Sequence, residues 1–184
     1  MKKIRVPDMI LCAQFAALSA VLSQIAIPVG MVPVTLTFLS VFLAGGLLGA
    51  RYGAVSQIVF VLLGLVGAPV FAQFKGGPNA LAGPTGGFII GYIACAWVVG
   101  FAASRWGRSP KVLIPAMAVG ALATYALGTL WFMRVTNHTL ESALGACVLP
   151  FLPGDAAKIA LSAALIPTLH SALRKKRAQG GAPP

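Results

Sequence analysis

An aspartate and a lysine three residues apart are the strongest sign of chemistry in this sequence. They lie in the run Pro153-Gly154-Asp155-Ala156-Ala157-Lys158, inside an otherwise uncharged apolar segment. The whole chain has only three acidic residues. Side chains at positions i and i+3 of a helix are neighbours on its surface, so Asp155 and Lys158 can point into the same space. The pair is therefore a candidate ligand site.

Two interpretations of this pair stay open. A charge in hydrocarbon costs several kcal/mol unless it is paired, hydrated or facing a cavity, which makes such residues functional candidates. Alternatively, Asp155 helps to cap a helix that starts after Pro-Gly, and Lys158 extends towards the membrane interface.

Other chemistry is weakly supported. No nucleophile lies beside a base, and there are too few carboxylates for paired acid-base catalysis. The three cysteines lack the C-x-x-C spacing and the two histidines lack ligand-spaced partners, so we expect neither catalytic nor metal-binding residues. Nucleotide-binding motifs are also absent, so ATP-driven transport would need an ATPase on another subunit.

The composition is that of an integral membrane protein. Hydrophobic residues make up 58% of the chain and charged residues 9%, with a mean hydropathy of +0.89, whereas soluble domains carry about 25% charged residues. The formal net charge of +11 comes from short basic clusters between long apolar runs, without interleaved exposed aromatics. This placement indicates membrane topology and not nucleic-acid binding.

Apolar runs predict an all-α membrane domain over residues 8–173 with six spans. A cytoplasmic N-terminus (1–7) and a basic, disordered cytoplasmic tail (174–184) flank it. The spans are expected at 9–27, 36–50, 53–65, 86–103, 112–133 and 155–173. Residues 66–85 predict a long external loop, and residues 140–149 a short interfacial helix.

Basic residues predict the orientation. With both termini in the cytoplasm, the external segments hold only Lys75 and Arg134, in agreement with the positive-inside rule. Asp155 precedes Arg174 by a helical length of roughly 28 Å at about 1.5 Å per residue. The pair is therefore expected near the outer face, and the basic tail can touch anionic lipid on the cytoplasmic side.

Three further stretches are candidate binding segments. The Gly- and Pro-rich run 75–87 either closes over a pocket, with Asn79 as donor and acceptor, or only turns. Thr35 and Thr37 share a face if their segment is extended, although threonines in membrane helices usually bond to a preceding carbonyl. A stripe of small residues on the first span would allow close contact with another helix, of this chain or of a partner; it comprises Ala13, Ala16, Ala17 and Ala20.

Four motifs in order resemble the BioY family over about residues 8–176. They are Val32-Pro33-Val34-Thr35-Leu36, Gly67-Ala68-Pro69-Val70-Phe71, Gly83-Pro84-Thr85-Gly86-Gly87-Phe88 with Gly91-Tyr92, and Pro153-Gly154-Asp155 with Lys158. The resemblance implies a six-helix biotin-capture subunit of an energy-coupling-factor transporter in the bacterial cytoplasmic membrane. Its implied partners are a transmembrane coupling subunit and two ATP-binding subunits, which use the ATP, and the chain itself needs no cofactor.

The same resemblance implies which residues act. Biotin would meet Asp155, Lys158, Asn79, Tyr92, Gly83, Thr85 and Thr35, and the alanine stripe would meet the coupling subunit. An ion-coupled carrier that works alone is the alternative, but such carriers usually place the site near the membrane midplane between repeats. A structural subunit without a ligand would leave the charged pair and the outer loop unexplained.

Overall fold

A computed structural model describes residues 6–28 and 31–179, with side chains described as far as residue 173. The elements are α1 (Val6–Gln24), β1 (Ala26–Ile27), β2 (Val34–Thr35), α2 (Thr37–Leu65), α3 (Pro78–Ala82), α4 (Gly86–Trp106), α5 (Pro110–Thr136), α6 (Leu140–Cys147) and α7 (Leu152–Gln179). Within this described part, five helices are long and apolar enough to cross a membrane, namely α1, α2, α4, α5 and α7.

Helix α2 is broken at Gly49, whose φ of 82° and ψ of 177° are not helical. A Cβ atom on Gly53 would lie 2.9 Å from the Cα atom of Gly45, whereas eight residues of straight helix span about 12 Å. The chain therefore folds back on itself at the break. The break at Gly49 lies one residue before Ala50, the predicted end of the second span.

A half-buried arginine, Arg108, caps the broken end of α2. The Nε atom of Arg108, in the connection between α4 and α5, donates a hydrogen bond of 2.7 Å to the carbonyl oxygen of Gly46. The break removes the helical partner of that carbonyl, which otherwise would be left unsatisfied. Burial lowers the pKa of Arg108 from its usual value.

Helix α4 packs closely against α2 through small residues. A Cβ atom on Gly45 would lie 2.6 Å from the carbonyl oxygen of Ala96, and one on Gly100 would lie 2.4 Å from the backbone nitrogen of Ala50. Close backbone contact of this kind is how helices associate inside a membrane, where expulsion of water contributes little.

The segments between the helices differ from the sequence prediction in two places. Residues 66–85 are not one long loop, because they form a 3₁₀ turn at Ala72–Phe74 and helix α3. The fold also contains a small antiparallel hairpin in which Ala26 pairs with Thr35 and Ile27 with Val34. The predicted interfacial helix is present as α6, where the Thr139 side chain accepts a hydrogen bond from the backbone N–H of Ser142.

Both termini differ from the predicted boundaries. Helix α1 begins at Val6, and residues 1–5 lie outside the described part. Helix α7 continues to Gln179, beyond the predicted end of the sixth span at residue 173, and residues 180–184 are outside the described part. Lysine, arginine and alanine are good helix formers, and extending an existing helix requires no new nucleation.

Candidate functional site

A cavity opens where both ends of α2, the start of α4 and the start of α7 meet. The space between its lining residues, including the part that is open to solvent, amounts to about 710 Å³. Its lining includes Thr37 and Phe38 from the start of α2 and Phe60 from near its end. Both ends of the broken helix thus reach the same side of the molecule.

Asp155 and Lys158 form a buried ion pair in the wall of this cavity. The Nζ atom of Lys158 lies 2.6 Å from Oδ1 of Asp155, and the two residues are 6% and 3% exposed. The other carboxylate oxygen, Oδ2, accepts a hydrogen bond from the buried hydroxyl of Tyr125 on α5. The carboxylate is thus held by one charged and one neutral donor, and both its oxygens keep lone pairs for a ligand.

Hydroxyl groups also line the cavity. The Oγ1 atoms of Thr35 and Thr37 lie 2.8 Å apart, and the backbone N–H of Thr37 donates to Thr35 Oγ1 at 3.3 Å. Both residues line the cavity together with Tyr92 of α4. Thr35 belongs to strand β2, so the extended arrangement, and not a bond to a preceding carbonyl, describes this pair.

Aromatic rings make up much of the remaining lining. Phe38 packs edge-on against Tyr92 and Tyr125, with ring centroids 5.4 and 6.1 Å apart. Phe60 and Phe71 meet in the same geometry at 5.5 Å. The site is therefore mostly apolar, with a few polar groups at fixed positions.

Gln24 at the end of α1 holds the segment that covers one side of the cavity. Its Nε2 atom lies within hydrogen-bond distance of the carbonyl oxygens of Pro69 (3.3 Å) and Phe71 (3.1 Å), and its Oε1 accepts from the backbone N–H of Phe74 at 3.0 Å. The hydroxyl of Ser23 also donates to the carbonyl of Val70. These bonds fix Phe71, Ala72 and Lys75 in the cavity lining.

The structure brings most of the predicted ligand residues together. Five of the seven line the cavity, namely Asp155, Lys158, Tyr92, Thr85 and Thr35. Two do not: the side chain of Asn79 is exposed on α3, and the carbonyl of Gly83 accepts a hydrogen bond of 3.0 Å from the Trp131 indole. Because successive residues of a helix point in different directions, Ala80, the neighbour of Asn79 on α3, lines the cavity instead.

The alanine stripe on α1 is divided between two faces. Ala13 and Ala17 are exposed, and Ala20 is half-buried. Ala16 is only 1% exposed and packs in a cluster with Phe60, Phe71 and Ile89, so it faces the interior and not a partner. The physical reason is that four positions at i, i+3, i+4 and i+7 span an arc wide enough to reach both sides of a helix edge.

The sequence analysis did not identify three residues of the site. They are Tyr125, which binds Asp155, Gln24, which holds the covering segment, and Phe71, which lines the cavity from that segment. Tyr125 does carry a signal, because a tyrosine in the middle of a span lies far from the membrane interface, where this residue is usually found. Gln24 is a polar residue at the end of an apolar run, which by itself indicates only an exit from the membrane.

This arrangement defines a class of protein: a polytopic helical membrane protein that holds a small, largely apolar solute with a few polar contacts. The chain belongs to the BioY family, whose family model matches residues 1–175. It is 39% identical over 149 residues to a biotin transporter BioY of Thermotoga maritima, covering 81% of this chain and 87% of the relative. It is 38% identical over 168 residues to a biotin transporter BioY of Rhodobacter capsulatus, covering 84% and 88%.

A solved structure shares the fold. It is described as the S-component for biotin from an ECF-type ABC transporter, and it matches this chain with a TM-score of 0.84 and 28% sequence identity. The match covers 90% of this chain and 92% of the solved one.

Proposed function

We propose that this chain captures biotin in the described cavity and is the membrane-embedded substrate-binding subunit of an energy-coupling-factor transporter. The observation that carries the proposal is the buried Asp155–Lys158 pair facing an aromatic cavity in a member of the BioY family. The chain is a transport subunit and not an enzyme. Its substrate is moved unchanged, and ATP is used by partner subunits.

The groups of the site match the chemistry of biotin. A ureido ring offers two N–H donors and one carbonyl acceptor. Asp155 retains lone pairs for the N–H groups, and Lys158 has two donors besides the one directed at Asp155. The fused thioether ring and aliphatic chain suit the Phe38 and Phe71 side of the cavity, and the exposed amine of Lys75 at the lining is the candidate partner of the carboxylate.

The topology proposed here has six crossings with both termini in the cytoplasm. Its support is the break at Gly49 together with the return of both ends of α2 to the cavity. In this orientation the cavity opens towards the outside of the cell. The proposed location of the protein is the bacterial cytoplasmic membrane. A transmembrane coupling subunit and two ATP-binding subunits are the proposed partners, with Ala13 and Ala17 of α1 as the contact surface.

Calorimetry on detergent-purified protein tests the ligand. Biotin should give a saturable heat, whereas thiamine and riboflavin should give none. Asp155→Asn should weaken biotin binding by at least about 2 kcal/mol, because it removes a charge-assisted hydrogen bond and leaves Lys158 without its counter-charge. Lys158→Met should weaken binding for the complementary reason.

A double variant separates binding from folding. Asp155→Leu combined with Lys158→Met replaces the ion pair by apolar side chains, which is often neutral or stabilising for a buried pair. It should unfold no earlier than either single variant and yet not bind biotin. Normal biotin affinity in the folded single variants would remove the pair from the site.

A further inference from the structure

An apolar groove lies between α4 and α5, at the end of the molecule opposite the biotin cavity. We name it the α4–α5 groove; it is lined by Trp97, Val98, Phe101, Ala102, Trp106, Lys111, Val112, Pro115, Ala116 and Val119. Nine of these ten residues are apolar, and the tenth is Lys111. We propose that the α4–α5 groove binds one acyl chain of an anionic phospholipid, with the phosphate at Lys111.

The shape of the groove suits an acyl chain. Small side chains, Ala102 and Ala116, form its floor, and three aromatic rings form one wall. Trp97 and Phe101 are stacked with centroids 5.5 Å apart, and Phe101 meets Trp106 edge-on at 5.9 Å. These rings project outwards, with Trp97 51% and Trp106 65% exposed. Helices that pack in membranes favour small residues at the contact, so this wall disfavours a partner helix.

Length and charge identify the lipid. From Lys111 to Val119 the groove extends for about 12 Å at 1.5 Å per helical residue, close to half of a hydrocarbon core of roughly 30 Å. It therefore fits the depth of one leaflet. Its polar end carries the exposed Lys111 and the exposed Arg105 in the last turn of α4, and a positive charge at this level attracts an anionic headgroup.

The leaflet is the cytoplasmic one in the orientation proposed above. The proline inside α5, Pro115, leaves the carbonyl oxygen of Lys111 without its usual helical partner. This oxygen is an acceptor, so it can pair with a hydroxyl of the headgroup but not with the phosphate.

Tryptophan quenching by brominated lipids tests this proposal. The full chain is reconstituted in phosphatidylcholine vesicles that contain a small fraction of either brominated phosphatidylglycerol or brominated phosphatidylcholine. We expect stronger quenching by the anionic lipid. Lys111→Gln should weaken this preference about five-fold, whereas Lys111→Arg should retain it. Arg134→Gln, which removes an exposed basic residue at the other end of α5, is the matched control and should leave the preference unchanged.

Three outcomes would overturn the proposal. Equal quenching by the two brominated lipids would mean that the groove holds only bulk lipid. An undiminished preference in Lys111→Gln would place the headgroup elsewhere. Absence of quenching, together with a dimer in native mass spectrometry, would mean that a second copy of the chain covers the groove. Biotin binding is measured on the same preparations, and its loss with the lipid preference intact would refute the proposed function alone.

Discussion

The carboxylate of Asp155 is the residue on which the candidate site depends. It is buried, paired with Lys158 and hydrogen-bonded to Tyr125. Removing water from two charges costs more than an isolated pair regains, so such a pair needs additional hydrogen bonds. Tyr125 supplies one of them from a different helix, which fixes the direction in which the carboxylate faces the cavity.

This role of Tyr125 leads to a prediction at the same scale. Tyr125→Phe removes the hydroxyl but keeps the ring against Phe38, so the fold should persist while biotin affinity falls about ten-fold, in line with a hydrogen bond to a charged group. Calorimetry of the purified variant checks this value. Tyr52→Phe, the same change on the second half of α2 away from the cavity lining, should have no effect. Equal affinities in the two variants would show that Asp155 needs no such support.

At the scale of elements, the segment after α2 is tied to α1 by hydrogen bonds between the Gln24 side chain and the segment's backbone. Two residues of this segment, Gln73 and Phe74, have positive φ angles of 60° and 56°. The left-handed backbone conformation is unfavourable for residues other than glycine, and it persists only where the surrounding structure enforces it. Gln24 therefore holds a segment that would otherwise relax.

Replacing Gln24 by leucine should loosen the cover of the cavity. We expect biotin to dissociate about ten-fold faster from Gln24→Leu, because several hydrogen bonds to the segment are lost, with a smaller change in the association rate. Stopped-flow measurement with a fluorescent biotin derivative gives both rates. Gln14→Leu, on an exposed position of the same helix, is the control. If both variants release the ligand at the normal rate, the segment is not a cover.

The turn within α2 also belongs to the scale of elements. Gly53 packs against the backbone of Gly45 and Ala44, which cannot move aside as a flexible side chain can. Gly53→Ala should therefore lower the unfolding free energy by about 1–3 kcal/mol. Gly145→Ala, in an exposed helical position with no atom near the added Cβ, should raise it by up to about 1 kcal/mol. Thermal unfolding in detergent compares the two variants. Equal melting temperatures would contradict the close packing of the two halves of α2.

At the scale of the whole molecule, helix α1 has one face that packs against the protein interior and another that faces outwards. Ala16 faces the cluster beside the cavity, whereas Ala13 and Ala17 face outwards one turn apart. Small residues at this spacing permit the close approach of another helix. The chain thus has a candidate docking face that does not overlap the candidate ligand cavity.

The two faces of α1 predict different effects for an alanine-to-tryptophan substitution, depending on its position. Ala17→Trp should retain biotin binding in the isolated protein but abolish co-purification with the coupling subunit and uptake in cells. Ala16→Trp should instead destabilise the protein, because the added ring has no room beside Phe60 and Ile89. Binding assays, pull-down and melting temperature distinguish the cases. A normal complex with Ala17→Trp would move the interface to another helix.

The sequence by itself determined the membrane class, the positions of most spans and the Asp155–Lys158 pair. Hydropathy runs and intramembrane charges are local signals, so they can be read without knowing what lies opposite. The pair also lies within one helical turn, and its geometry follows from spacing alone.

Only the tertiary structure decided which side chains meet across helices and which faces point inwards. Tyr125 reaches Asp155 from thirty residues away, and Gln24 reaches Phe74 from fifty residues away, and no local pattern encodes either contact. Nor does a local pattern show that Ala16 faces the protein interior. In a soluble protein, polarity separates the buried face of a helix from the exposed one, but in a membrane the protein interior and the lipid are both apolar, so the sequence pattern does not distinguish them.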